Sequence, residues 1–301
     1  MTDNHLHPTS HPRALILDTD IGSDVDDALA LGVLLGSPEV RLAGVTTVYG
    51  DTLLRARLAH RLAALAGEEL AVVPGAAETL SGKEVWWPGH EGTCFDDLHT
   101  EPVRDDLDAA DFLAETVQAR PGEVDVMAIG PLANLARTLQ RHPAFAGAVG
   151  TVYLMGGFFG PGAKPEHNIL SDVTAARVVF EAGMPMVVSG LETTTRFRVE
   201  SDGIEAIRAA GRYGAALARE IDTWIAFKGR TWTTPHDPVT ALSMLRPDLY
   251  SFEHGHVTVE DDGLTVFHPD PSGPVRLVTD ADLPAVAKEI VTRIVRAGTG
   301  A

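Results

Sequence analysis

Five aspartates, Asp18, Asp20, Asp24, Asp26 and Asp27, fall inside the stretch "ALILDTDIGSDVDDALALGVLL" that spans residues 14–35. Carboxylates gathered this tightly either share protons or hold a cation, because each raises the cost of ionising the next. The apolar run before them reads as a buried strand and the run after them as a helix. Asp18 would then close the strand, while Asp26 and Asp27 open the helix. Helix capping accounts for one or two acids, since a carboxylate accepts the free N–H groups of a first turn. It leaves Asp18 and Asp20 unexplained at the strand end. Hard oxygen donors in that place favour Mg2+ or Ca2+.

Such a cluster needs a scaffold that delivers it to one small volume. The runs "ALILD" (14–18), "RLAGVTTV" (41–48), "VDVMAIG" (124–130), "VGTVYLMGG" (149–157) and "PMVVSGL" (185–191) read as buried strands. Between them lie amphipathic stretches such as "LLRARLAHRLAALAG" and "LANLARTLQRHP". Strand and helix in steady alternation predict an α/β domain with a mostly parallel, Rossmann-like central sheet flanked by helices. In such sheets ligands bind beyond the carboxyl ends of the strands, where Asp18 and Asp20 would stand. Residues 200–245 read as helical with a break at "TTPHDP". A small β segment follows in "HVTVEDDGLTVFHPD" and "PVRLVTD", then a last helix over 283–295. One domain is expected over 14–301, preceded by a disordered tail over 1–13.

Composition narrows the partners. A net charge of −18 over 301 residues argues against nucleic acid, which draws on clustered Lys and Arg. Cys94 is the one cysteine, so neither an intrachain disulfide nor a thiolate metal site is available. The polar start "MTDNHLHPTSHPR" lacks the apolar core of a secretion signal, and no apolar run is long enough to span a bilayer. A cytoplasmic protein with no membrane partner is expected.

The stretch "LILDTDIGSDVDDALAL" resembles the N-terminal signature of the inosine-uridine nucleoside hydrolases, which cleave the N-glycosidic bond of ribonucleosides. "GVTTVYGDT" (44–52), "MAIGPLANLA" (127–136), "VYLMGG" with "EHNILSDVTAARVVFEAG", and "TPHDPVTAL" (234–242) are similar to further blocks of that family, in family order. The resemblance covers roughly residues 14–280. It implies a nucleoside hydrolase fold and calcium-dependent hydrolysis of a small-molecule nucleoside to ribose and free base. It also implies salvage of purines and pyrimidines and assembly as a homodimer or homotetramer.

Carried over position by position, the resemblance assigns the metal to Asp20, Asp27, Asp237 and the backbone carbonyl of Ile129. Ile129 stands where some members have threonine, which a backbone ligand tolerates. Asp20 is also implied as the general base, acting on water whose pKa the cation lowers. Asp26 is implied to accept from a ribose hydroxyl, although the motif is two residues longer than its shortest form and Asp24 competes for the role. Glu166 and Asn168 match the sugar-binding acid and amide. A further asparagine found in some members is missing from "GPGAK" (160–164). Asp51 stands where several members have asparagine and is a candidate ribose acceptor. His236 matches the residue that protonates the leaving base, and His90, in "WWPGHEGT", matches a pocket histidine on a mobile loop. Trp86, Trp87, Trp224, Phe158, Phe159 and Phe227 divide between stacking on a base and ordinary packing.

Two rivals remain at this level. Phosphoryl transfer also uses an Asp-x-Asp after a first strand, but Lys83, Lys164, Lys228 and Lys288 do not follow strand ends as that chemistry requires. A nucleoside- or ribose-binding protein without turnover, or hydrolysis of another N-riboside, fits the same motifs.

Overall fold

The Val-, Leu- and Ile-rich runs become strands and the stretches between them helices in the computed structural model, which describes residues 12–300. The first half runs β1 (Arg13–Thr19), α1 (Asp26–Leu35), β2 (Val40–Thr47), α2 (Thr52–Leu65), β3 (Val72–Pro74), α3 (Ala109–Gln118), β4 (Val124–Ala128) and α4 (Ala133–Arg141). There follow α5 (Phe145–Ala148), β5 (Val152–Met155), α6 (His167–Ser171), α7 (Val173–Glu181), β6 (Met186–Ser189), α8 (Leu191–Thr194), α9 (Ser201–Arg208) and α10 (Gly211–Lys228). The chain ends with α11 (His236–Leu245), β7 (Tyr250–Val259), β8 (Thr265–Pro269), β9 (Val275–Ala281) and α12 (Leu283–Thr299).

One nine-stranded sheet has the order β3-β2-β1-β4-β5-β6-β9-β7-β8. The pairings from β3 across to β9 are parallel, whereas β7 runs antiparallel to both β9 and β8. Parallel strands need both faces covered, which is why β4, β5 and β6 are buried at every residue. The two faces carry separate cores. One is built on Leu15, Leu17 and Met127 under α1, α2, α11 and α12; the other is built on Ile16, Val126 and Ala128 under α3, α4 and α7. The expected small β segment comprises β7, β8 and β9; β9 joins the main sheet parallel to β6, and the β7–β8 hairpin extends it as an antiparallel edge.

The expected tail over residues 1–11 lies outside the described residues. Arg13, assigned to that tail, instead opens β1, where its Nε and Nη2 donate to Asp125 at 2.6 and 2.7 Å. At the other end α12 continues past the expected stop to Thr299. Buried Arg293 on α12 donates to Glu39, Glu289 and the Ser37 hydroxyl, and so fastens α12 beside the end of α1. Among the described residues no helix is long and apolar enough to cross a membrane.

β1 has β2 on one side and β4 on the other, so the following connections leave the sheet in opposite directions. A crevice opens at such a switch point, beyond the carboxyl ends of the strands. The acid turn over 20–25 and Ile129–Gly130 flank that crevice.

Candidate active site

Val25 occupies the N-cap of α1 and makes no side-chain capping bond, so the acids of the first turn are free for another task. Asp26 and Asp27 meet Asp237, which lies in the first turn of α11. One carboxylate oxygen from each of the three lies within 4.8 Å of the others, and all three side chains are buried. Burial, and then the charge of their acidic neighbours, pushes the carboxyls of Asp26, Asp27 and Asp237 well above the usual carboxylate range. Asp27 also accepts from the Thr19 hydroxyl at 2.5 Å, which favours its charged form. None of the three joins the ion pairs found among the described residues, which lie elsewhere. Three buried, mutually repelling carboxylates with no basic partner fit a divalent cation.

These acids line a cavity of about 300 Å3 together with Asp20, Asp24, Ile129, Glu166, Asn168 and His236. Asp20 belongs to the wall but not to the tight trio. Burial raises its carboxyl, and the charges of Arg55 and His167 pull it back. Asp24 is raised to about 7, chiefly by burial. Asp18 sits one layer beneath, fully buried. Its Oδ1 accepts from the Thr46 hydroxyl at 2.6 Å and the Asn134 amide at 2.7 Å, which ties β1 to β2 and α4 rather than facing the cavity.

On the other wall Glu166 caps α6, accepting from the backbone N–H groups of Asn168 (2.9 Å), Gly157 (3.1 Å) and Ile169 (3.2 Å). The Asn168 amide donates to the carbonyl of Ile129 at 3.0 Å and to that of Met155 at 3.2 Å. A carbonyl has two lone pairs, so the Ile129 oxygen retains one for a second partner. The Nδ1 of His236 lies 2.8 Å from the Thr194 hydroxyl, and its pKa is lowered to about 4 by burial and by the charge of Arg230. The imidazole is therefore neutral at pH 7.

Two expected contacts fall outside the cavity. Asp51 is exposed and caps α2, accepting from the Leu54 N–H at 3.0 Å. His90 is not among the cavity-lining side chains; its Nε2 donates to the Ser23 carbonyl at 2.9 Å and the ring packs on Phe227 and Trp224. Of the tryptophans, Trp86 and Trp224 line the cavity; Trp87 packs against Arg55 instead. Phe227 stacks on Trp224, and Phe159 packs edge-on against Phe267. Five cavity residues escaped the sequence reading: Ser23, Met155, His167, Leu191 and Lys228. His167 carried a signal, since it separates Glu166 from Asn168 in "EHN" and stands edge-on to Tyr49 and Trp86.

The sequence pattern of the family described as inosine-uridine preferring nucleoside hydrolase matches residues 15–288. Uridine nucleosidase 1 of Arabidopsis thaliana is 33% identical over 271 residues, covering 84% of this chain and 80% of that one. A pyrimidine-specific ribonucleoside hydrolase of Citrobacter koseri is 28% identical over 272 residues, covering 83% of this chain and 84% of its own. A solved plant nucleoside hydrolase superposes with a TM-score of 0.83 at 27% identity, over 94% of this chain and 99% of that one.

Proposed function

The chain belongs to the inosine-uridine preferring nucleoside hydrolases, and from that membership we propose that it hydrolyses the N-glycosidic bond of ribonucleosides to ribose and a free base, with calcium as its cofactor. The observation that carries the proposal is the arrival of Asp237, from far along the chain, beside Asp26 and Asp27 at the mouth of the sheet. By the family resemblance Asp20, Asp27 and Asp237, with the Ile129 carbonyl, would hold the ion, although the acid drawn up within 4.8 Å of Asp27 and Asp237 is Asp26 rather than Asp20. All are oxygen donors, which suits calcium better than a softer metal. When bound, the ion supplies positive charge that orients hydroxyl groups and lowers the pKa of water.

The side chains divide the remaining work. Asp20 is the carboxylate placed to take a proton from the attacking water. Asp26 accepts from one ribose hydroxyl, while Glu166 and Asn168 read others from the facing wall. Cleavage builds positive charge on the sugar, and a wall of carboxylates stabilises that charge where it develops. Neutral His236, bonded at Nδ1 to the Thr194 hydroxyl, would hydrogen-bond the departing base through Nε2, and the base would take its proton from solvent rather than from the imidazole. Ile129, Met155 and Leu191 add apolar side chains to the cavity lining, against which the sugar would pack.

The test is release of reducing sugar from uridine and inosine, with and without calcium. Wild type should turn over at least one of them, and Asp20→Asn should lower kcat by about 10^2–10^4, the span attributed to a positioned acid or base. Binding of nucleoside without sugar release by the wild type would favour the non-catalytic alternative instead.

A further inference from the structure

The Arg55 guanidinium is 1% exposed, yet no carboxylate lies within ion-pair distance of it among the described residues. A buried cation of this kind is costly unless its donors are satisfied. Here they are satisfied almost wholly by backbone. Nε donates to the Tyr49 carbonyl at 2.7 Å, and Nη1 donates to the carbonyls of Asp20 and of Ile21, the latter at 2.9 Å. Nη2 donates to the Ser23 hydroxyl at 3.0 Å. The planar group also lies over the Trp87 ring, 4.7 Å from its centroid.

These contacts reach three separate segments. Asp20, Ile21 and Ser23 form the acid turn. Tyr49, the one non-glycine residue with a left-handed backbone among the described residues (φ 69°), forms the turn after β2. Trp87 belongs to the segment that also presents Trp86 to the cavity. That segment is fastened at several further points. The Trp86 N–H donates to the Tyr49 hydroxyl at 2.8 Å, and the Ser23 hydroxyl donates to buried Glu91 at 2.8 Å. Glu91 also accepts from the Gly89 N–H at 2.9 Å. Gly50 permits the stack: a Cβ there would come within 2.9 Å of Trp87.

Resting on the hydrolase reading above, we propose that Arg55 is a positioning residue that couples the acid turn carrying Asp20 to the 85–91 segment carrying Trp86, with Ser23 and Glu91 as the second strap. One guanidinium thereby sets both the place of the acid and the wall that faces the leaving base. Lysine cannot replace it, because a point charge lacks the planar fork that reaches three carbonyls and a hydroxyl at once.

Full-length wild type is compared with Arg55→Lys, Ser23→Ala and Glu91→Gln by amide hydrogen exchange and by steady-state kinetics on uridine. Each variant should speed exchange about tenfold in both 20–24 and 85–91, while 283–299 is unchanged, since local opening reports the bonds that hold a segment. Arg55→Lys should lower kcat about a hundredfold, the scale of a 1 Å misplacement of a reacting group. Ser23→Ala and Glu91→Gln should lower kcat less than Arg55→Lys, by about tenfold, because each removes one buried hydrogen bond of the strap and leaves the guanidinium in place. Ser23→Ala is small enough to fold if Arg55→Lys does not. Exchange that rises in 20–24 alone, or in neither segment, overturns the coupling. A wild type without activity on any nucleoside sinks the hydrolase reading, yet the exchange pattern still decides whether the strap exists.

Discussion

Replacing Asp237 with asparagine should make the protein more stable without calcium and less stable with it. Its carboxylate lies within 4.8 Å of those of Asp26 and Asp27, all of them buried. At an effective dielectric of about 20, two unit charges at that distance repel by about 3.5 kcal/mol. Escape by protonation costs about 4 kcal/mol at pH 7 for an acid whose ordinary pKa is near 3.9. Either way, an uncompensated Asp237 burdens the folded state by about 3–4 kcal/mol. Asparagine removes the charge but leaves a buried amide imperfectly paired, which returns about 1–3 kcal/mol of that gain. The net gain without metal is about 0–3 kcal/mol, or up to roughly 5 °C in Tm for a chain of this size. Calcium at a hundred times its Kd should stabilise the wild type by about 2.7 kcal/mol, or roughly 4 °C. The variant, one carboxylate short, should shift by less than about 2 °C, within the same linkage. Differential scanning calorimetry in EDTA and in calcium reads all four states. A wild-type Tm that ignores calcium, or a variant that shifts as much as wild type, would refute the reasoning.

Two further outcomes follow from placements elsewhere. Asp51→Ala should cost about 1 kcal/mol through the lost α2 cap and leave ribose release within twofold of wild type. A tenfold fall in kcat/KM would show that Asp51 reaches the sugar after all. Arg293→Met should cost about 1–3 kcal/mol by removing the bonds to Glu39, Glu289 and Ser37, measured by urea unfolding at neutral pH. Burial works against ionisation of Glu39, but its hydrogen bonds with Arg293 win, so its carboxyl lies below the ordinary range. A depressed carboxylate stabilises the fold above its unfolded pKa and loses that contribution as pH falls through the folded value. The gap between Arg293→Met and wild type should therefore narrow below about pH 4, and a gap that widened there would contradict the pairing.

The parallel core was legible because buried strands betray themselves by continuous apolar runs, as "VDVMAIG" and "PMVVSGL" do. The acid cluster was legible for the opposite reason: so many carboxylates beside an apolar strand need a purpose. Asp51 misled because a helix cap and a sugar contact both call for an acid after a tight turn, and only the direction of the side chain separates them. His90 misled similarly, since a loop histidine can face the cavity or the loop's own back, and here Ser23 claims it. Arg55 left no trace at all. Amid "TLLRARLAHRLAAL" it reads as one more arginine on an amphipathic helix, and its partners are carbonyls, which every residue owns.

The distance along the chain between the acid turn and Asp237 has a consequence for how the molecule comes into being. A ribosome releases Asp20, Asp26 and Asp27 some two hundred residues before their counterpart appears. Throughout that interval the growing chain carries a knot of negative charge with no complete cage to neutralise it. On the proposed reading, the three-acid site would be assembled only when α11 docks against α1. On that reading cation uptake would double as a signature of completion: a chain cut short of α11 carries the residues of β1–β6, six of the nine strands, and most of the acids, but lacks Asp237.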